Sequence, residues 1–146
     1  MALRLLKGKT ACITGGTNGI GRAITLEYLR QGANVAVNHL GLPGDEQHKL
    51  SLIEEAENLR KAATQEAPAG QLIEVAGDVT KPEASKALVD AAVKKWGGLD
   101  ISVANAGIAK PAEFLTLDKQ LFDQTIRVNI NGAFYFCQAA ANQMVK

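Results

Sequence analysis

Little in this 146-residue chain points to metal or disulfide chemistry, because it carries only two cysteines and two histidines. Cys12 and Cys137 lie far apart, each within an apolar run, and read as buried free thiols of a reducing compartment. His39 and His48 belong to no cluster with ligand spacing, so no metal site is expected. Aromatic residues make up 5% of the chain, and no basic stripe is interleaved with them. With 16 Lys and Arg against 15 acids there is nothing to track a phosphate backbone, and nucleic acid is excluded as a partner. No apolar run approaches the ~20 residues of a membrane span. The start, Met1-Ala-Leu-Arg-Leu-Leu-Lys-Gly-Lys9, holds three leucines before basic residues, too few for a signal sequence. These absences lead to the expectation of a cytoplasmic protein that does not engage a membrane.

What the chain does have is alternation. Thr10–Thr14 is a short apolar run ending at glycines, as a buried parallel strand does. A helical pattern follows from Ile20 to Arg30, with Ile20, Ile24 and Leu26–Tyr28 as its inner face and Gly32 as its stop. Asn34–Asn38 reads as the second strand. A loop with Gly41, Pro43 and Gly44 leads to a helix over 47–64, whose inner positions are Leu52, Ala56, Leu59 and Ala63. Gln71–Ala76 is the third strand. Thr80, Pro82 and Glu83 predict a capping box at the start of the third helix, and Gly97-Gly98 its end. Leu99–Ala104 is the fourth strand, and a fourth helix should run from Thr116 or Asp118 to the C-terminus. The order βαβαβαβα implies an α/β fold: a doubly wound parallel sheet of Rossmann type, incomplete in length, with helices on both faces.

Between the first strand and helix stands Thr14-Gly15-Gly16-Thr17-Asn18-Gly19-Ile20-Gly21. A pyrophosphate needs close backbone approach, N–H donors and the positive end of a helix dipole. Gly15 serves the tight turn, Gly19 clears the phosphate path, and Gly21 lets helix and strand approach. The spacing is G-x3-G-x-G, not the commoner G-x-G-x-x-G. Gly16 to Gly21 has the spacing of a nucleotide-triphosphate loop, but Arg22-Ala23 stand where Lys and Ser/Thr are required. A dinucleotide's pyrophosphate is therefore the expected ligand; the alternative is a glycine-rich turn that binds nothing.

Several motifs together resemble the short-chain dehydrogenase/reductase family, and the likeness runs the length of the chain. They are Leu6-x-Gly8-Lys9, the T-G-x3-G-I-G loop, Gly77-Asp78-Val79, Asn105-Ala106-Gly107 and Val128-Asn129-x-x-Gly132. The resemblance implies cofactor contacts from Gly15, Thr17, Asn18, Gly19 and Ile20. It implies that Asp78 accepts from the adenine amino group with Val79 beside the ring, unless Asp78 is a solvated residue near the next helix. It assigns Asn105, Ala106 and Gly107 to the nicotinamide-ribose side, with Ala104 where many members have Asn. Asn129 is the family's catalytic asparagine, which orders a water in the proton relay; the alternative is a helix Asn bonded to nearby backbone. Lys110 and Glu113 are either pocket-edge residues or solvated loop charges.

Cofactor choice turns on Asn38 and His39. NAD enzymes of this kind carry an acid at this strand end; a neutral amide does not repel a 2′-phosphate, and His39 is placed to contact one. NADP is the expected cofactor, with NAD accepted, although the loop offers no Lys or Arg before Gly19. The stretch Val37-Asn-His-Leu40 resembles sugar 1-dehydrogenase members and 3-oxoacyl-carrier-protein reductases.

The family's hydride transfer also needs a Tyr, a Lys four residues later to lower its pKa, and a Ser. Tyr28 is followed at that distance by Gly32 and Tyr135 by Ala139. Ser51, Ser85 and Ser102 lie on earlier elements. Residues 1–146 are therefore expected to be a single NAD(P)-binding domain that stops before the Ser and Tyr-x-x-x-Lys segment, inactive alone. The full-length enzyme would take a small alcohol or carbonyl substrate. The competing expectation is a non-catalytic dinucleotide-binding or interaction module. The fourth helix, apolar around its circumference from Ile126 to Val145, should pair the chain with a second copy.

Overall fold

A computed structural model describes residues 4–146, so the first three residues of the N-terminal stretch lie outside it. The elements are β1 (Thr10–Ile13), α1 (Gly19–Arg30), β2 (Asn34–His39), a 3₁₀ turn (Pro43–Asp45), α2 (Glu46–Ala62), β3 (Leu72–Ala76), α3 (Pro82–Trp96), β4 (Ile101–Val103), a second 3₁₀ turn (Phe114–Thr116), α4 (Lys119–Ile126), a π-helical segment (Arg127–Gly132) and α5 (Ala133–Met144). The four strands form one parallel sheet in the order β3-β2-β1-β4. The chain thus winds outward from β1 to β3, then crosses back to lay β4 on β1's other side. This reversal opens a crevice beyond the carboxyl ends of β1 and β4, where sheets of this type receive ligands.

Burial explains the strands. Thr10–Ile13 is wholly buried, and Val35 to His39 likewise, because both central strands are covered on two faces. On one face Ile13, Val35 and Val37 meet Leu26 and Leu29 of α1 and Leu52 and Ala56 of α2. On the other, Cys12 and Ala36 meet Leu88, Val89 and Ala92 of α3 and Phe136 and Ala140 of α5. Register couples the faces: Cys12 lies between Ala36 and Ser102, and Ile13 between Val37 and Val103. Among the described residues, no helix is long and apolar enough to cross a membrane.

Three local expectations need correction, and one is borne out in detail. Ile20 is 76% exposed, and the inner face of α1 is Gly21, Thr25, Leu26 and Leu29, because the glycine approach to β1 sets the helix rotation. The capping box at Thr80 does not form. Pro82 forces its predecessor Lys81 into extended backbone (φ −110°, ψ 120°), so Lys81 occupies the cap position, while the Thr80 N–H donates to Asp78 Oδ1 at 2.9 Å. The last helix begins where expected, with Asp118 capping α4 and accepting from the Gln120 N–H, and runs on in helical backbone through the π segment into α5. Cys137, expected to be buried, is exposed, because α5 turns Phe136 and Ala140 inward instead. Two glycine stops occur as read, Gly32 (φ 87°) after α1 and Gly97 (φ 89°) after α3.

Candidate functional site

The turn after β1 is fastened to the turn after β4. Thr14 Oγ1 accepts from the N–H groups of Asn105 (3.1 Å) and Ala106 (3.0 Å), and the Asn105 amide donates to the carbonyls of Thr14 (3.0 Å) and Gly15 (3.1 Å). Thr25 closes the loop from beneath, donating to the Gly21 and Gly16 carbonyls at 2.8 and 3.2 Å. Position 21 has no room for a side chain: a Cβ there would lie 2.1 Å from the Gly15 carbonyl oxygen and 2.5 Å from the Asn105 amide nitrogen. Position 19 is the opposite case, with positive φ (51°) and nothing within 4 Å of where a Cβ would stand.

The loop also leaves backbone donors without protein partners. The first intrahelical bond of α1 runs from the Arg22 N–H to the Asn18 carbonyl, and Asn18 makes no side-chain cap. Among the described residues, no protein oxygen accepts from the N–H groups of Thr17 through Gly21. Unsatisfied donors converging at the positive end of a 12-residue helix suit an anion. Among the described residues, no group of three or more His, Cys, Asp or Glu side chains gathers as a metal ion would need.

A cleft of about 440 Å³ opens in front of this loop. Of the residues singled out from the sequence, Gly15, Thr17, Asn18, Asn38 and His39 line it, as do Asp78, Val79, Ala106 and Gly107 from the ends of β3 and β4. Gly19, Ile20, Asn105 and Asn129 do not line it. Asn105 instead fastens the two turns. Asn129 grips Ile108, accepting from its N–H at 2.8 Å and donating to its carbonyl at 2.9 Å. Lys110 and Glu113 are exposed and outside the cleft.

The adenosine end of such a cleft would be framed by β2 and β3. Asp78 uses one carboxylate oxygen on Thr80, which orders the β3–α3 turn. The Asn38 amide donates to the Gly77 carbonyl at 2.8 Å, so it bridges two strand ends rather than reaching outward. His39 is buried, its Nε2 bonded to Glu74 at 2.5 Å; its Nδ1 has no partner among the described residues. Hydrogen bonding to Glu46, with the charges of Glu46 and Glu74 adding to it, raises the nearby Lys49 ammonium above its ordinary pKa. Eight further residues that the sequence did not mark as cofactor contacts line the cleft: Leu40, Asp45, Gly77, Thr80, Ile108, Gln124, Arg127 and Val128. Arg127 adjoins the Val128-Asn129 motif, which was its only sequence signal. Asp45 enters the wall because the 3₁₀ turn folds the β2–α2 loop back on itself.

Comparison with known proteins agrees with this geometry. The family described as short chain dehydrogenase matches residues 9–146. An L-rhamnose-1-dehydrogenase of Scheffersomyces stipitis is 42% identical over 144 residues, covering 97% of this chain and 52% of that protein. An L-rhamnose 1-dehydrogenase (NAD(P)(+)) of Sphingomonas sp. is 38% identical, covering 99% of this chain and 52% of the relative. A short chain dehydrogenase from Burkholderia cenocepacia, solved in complex with NADP, superposes with a TM-score of 0.81 at 31% identity, over 95% of this chain and 52% of the other. The chain thus spans about half the length of the proteins it matches.

Proposed function

Because the chain belongs to the short-chain dehydrogenase family, we propose that its cleft holds a nicotinamide dinucleotide, NAD or NADP, for an oxidoreductase acting on a small alcohol or carbonyl. The observation that carries this reading is the row of N–H groups from Thr17 to Gly21 without protein acceptors, of which Thr17 and Asn18 line the cleft. They suit the pyrophosphate. Asp78 retains a second carboxylate oxygen for an adenine amino group, and Val79 offers the ring an apolar flank. When bound, the dinucleotide supplies a ring that accepts or gives hydride. Ala106 and Gly107 would border the nicotinamide ribose, held in register by the Asn105–Thr14 bonds. Asn129 supports this wall through Ile108, and any proton-relay role would pass through that position.

The likeness to two L-rhamnose 1-dehydrogenases supports a sugar hydroxyl at C1 as the group oxidised in the full-length enzyme. Neither tyrosine of this sequence has a Lys four positions on, so these residues should bind cofactor without turning substrate over. A second copy is the proposed partner, seated on the exposed row Phe122, Ile126, Ile130 and Phe134. The buried Cys12 and exposed Cys137, both free, suit a reducing cytoplasm.

The test is titration of the chain with NADH and NADPH, followed by nicotinamide fluorescence, alongside Gly19→Val. The unsubstituted chain should bind saturably. The valine, strained at the positive φ of position 19, should distort the donor loop and abolish binding while the helical circular dichroism signal is kept. Equal affinity in both proteins would refute this site.

A further inference from the structure

We propose that the groove between α3 and α5 docks a second copy of this chain, turned end for end about a two-fold axis. This face is separate from the apolar row on α4 and α5: the groove encloses about 420 Å³, and none of Phe122, Ile126, Ile130 and Phe134 lines it. Its two helices start together, because a Cβ at Gly132, at the start of α5, would lie 3.0 Å from Val79, just before α3. From there they run side by side in one direction, with Leu88 and Val89 of α3 in the same core cluster as Phe136 and Ala140 of α5. Val89 and Ala139 give the groove an apolar floor.

Charge along the rim identifies the occupant. Glu83, Lys86, Asp90 and Lys146 line the groove in that order, acid, base, acid, base, and all four are exposed. Within one chain Lys86 pairs with Asp90, four positions on, and the Lys146 ammonium meets a neutral amide, Gln143 Oε1, at 3.2 Å. Among the described residues, Glu83 forms no ion pair. An alternating row of this kind is its own complement when reversed. A copy turned end for end sets the partner's Lys146 at Glu83 and the partner's Asp90 at Lys86, and each contact occurs twice. One axis must serve both contacts. With about 1.5 Å of rise per residue on each helix, the midpoint of Glu83 and Lys146 falls within a few ångströms of the midpoint of Lys86 and Asp90, beside Leu88. A copy laid parallel would put acid on acid, and a partner of one sign would meet as many like charges as opposite ones. Exposed ion pairs hold little by themselves, so they set orientation and register over the apolar floor.

Sedimentation equilibrium in an Ile130→Ser background, where the apolar row is weakened, tests this. That chain should still form dimers at high micromolar concentration, and fewer as salt is raised. Glu83→Lys or Lys146→Glu, each alone, sets like charges together at both symmetry-related contacts and should lower the association constant about tenfold. Mixing the two single variants restores opposite charges at both contacts and should recover the association, as should the double exchange within one chain. Recovery on mixing separates a broken contact from a folding defect. An Ile130→Ser chain that stays monomeric up to millimolar concentration would overturn the proposal. Single variants that associate as the starting chain does would overturn it too, and so would a mixture that associates no better than its parts.

Discussion

The two ends of the sheet are finished to different degrees. Around β1 and β2 every strand side chain from Val35 to His39 is buried, and α1 and α2 close over Ile13, Val35 and Val37. At the other end β4 has three residues, all only partly covered, and pairs with β1 alone among the described strands. The helical stretch from Lys119 to Met144 buries Gly132, Phe136 and Ala140 but leaves Phe122, Ile126, Ile130 and Phe134 in a row at four-residue spacing, open to solvent. The closed end builds the phosphate loop, which needs rigidity. The open end carries apolar surface of the kind that other polypeptide covers.

The largest expected effect lies at the closed end. Gly21→Ala forces a methyl against a backbone carbonyl that cannot move without breaking the Asn105 bonds, and should cost about 3 kcal/mol or more in urea unfolding. Leu29→Ala, at a side chain with no exposure, should cost about 2–5 kcal/mol by leaving a cavity between α1 and the sheet. If either variant unfolds at the same urea concentration as the parent, the closed end is not the stable one.

At the open end the sign of the outcome differs. Ile130→Ser, at a residue 58% exposed, should change monomer stability by no more than about 0.5 kcal/mol. It should nonetheless lower self-association at micromolar concentration, measured by sedimentation velocity. A parent chain that sediments as a monomer would show that this row is not used between copies.

The two thiols sharpen the contrast with the smallest perturbation. Burial pushes the Cys12 thiol up to about 12, which leaves almost no thiolate at pH 8, whereas Cys137 is exposed on α5. Iodoacetamide should modify Cys137 alone in the native chain and both cysteines in urea. Protection of Cys137 that grows with protein concentration would place it near the contact between copies. Mass spectrometry of Cys12 after native treatment provides the check, and labelling there would mean that the closed end opens readily.

Much of this was legible in the sequence because it depends on neighbours in the chain. The alternation of strands and helices, the glycine loop and the stops at Gly32 and Gly97 need only local pattern and backbone preference. What could not be read needed partners far away or competing local forces. Pro82 displaced the cap by one residue, although Thr80 and Glu83 both fitted the motif. The inward face of α1 excluded Ile20 because Gly21 must lie against Gly15. Asn38 turned to Gly77 and His39 to Glu74 because β3 lies alongside, a pairing the two residues do not announce. Asp45 reads as an ordinary loop charge until the 3₁₀ turn carries it to the cleft.

The hydrogen bonds between Thr14 and Asn105 span 91 positions of chain. During folding they cannot form until β2, β3 and α3 have been threaded out and back, a long loop whose closure is entropically slow. The loop and the strands beside it draw on β1, α1 and β2, but its shape also needs β4 and the turn after it. A nascent chain released before residue 105 would carry every glycine of the loop and still lack the rivet that shapes it. The loop thus takes its shape only once β4 has docked, and a chain without that strand would offer an anion a less ordered set of donors.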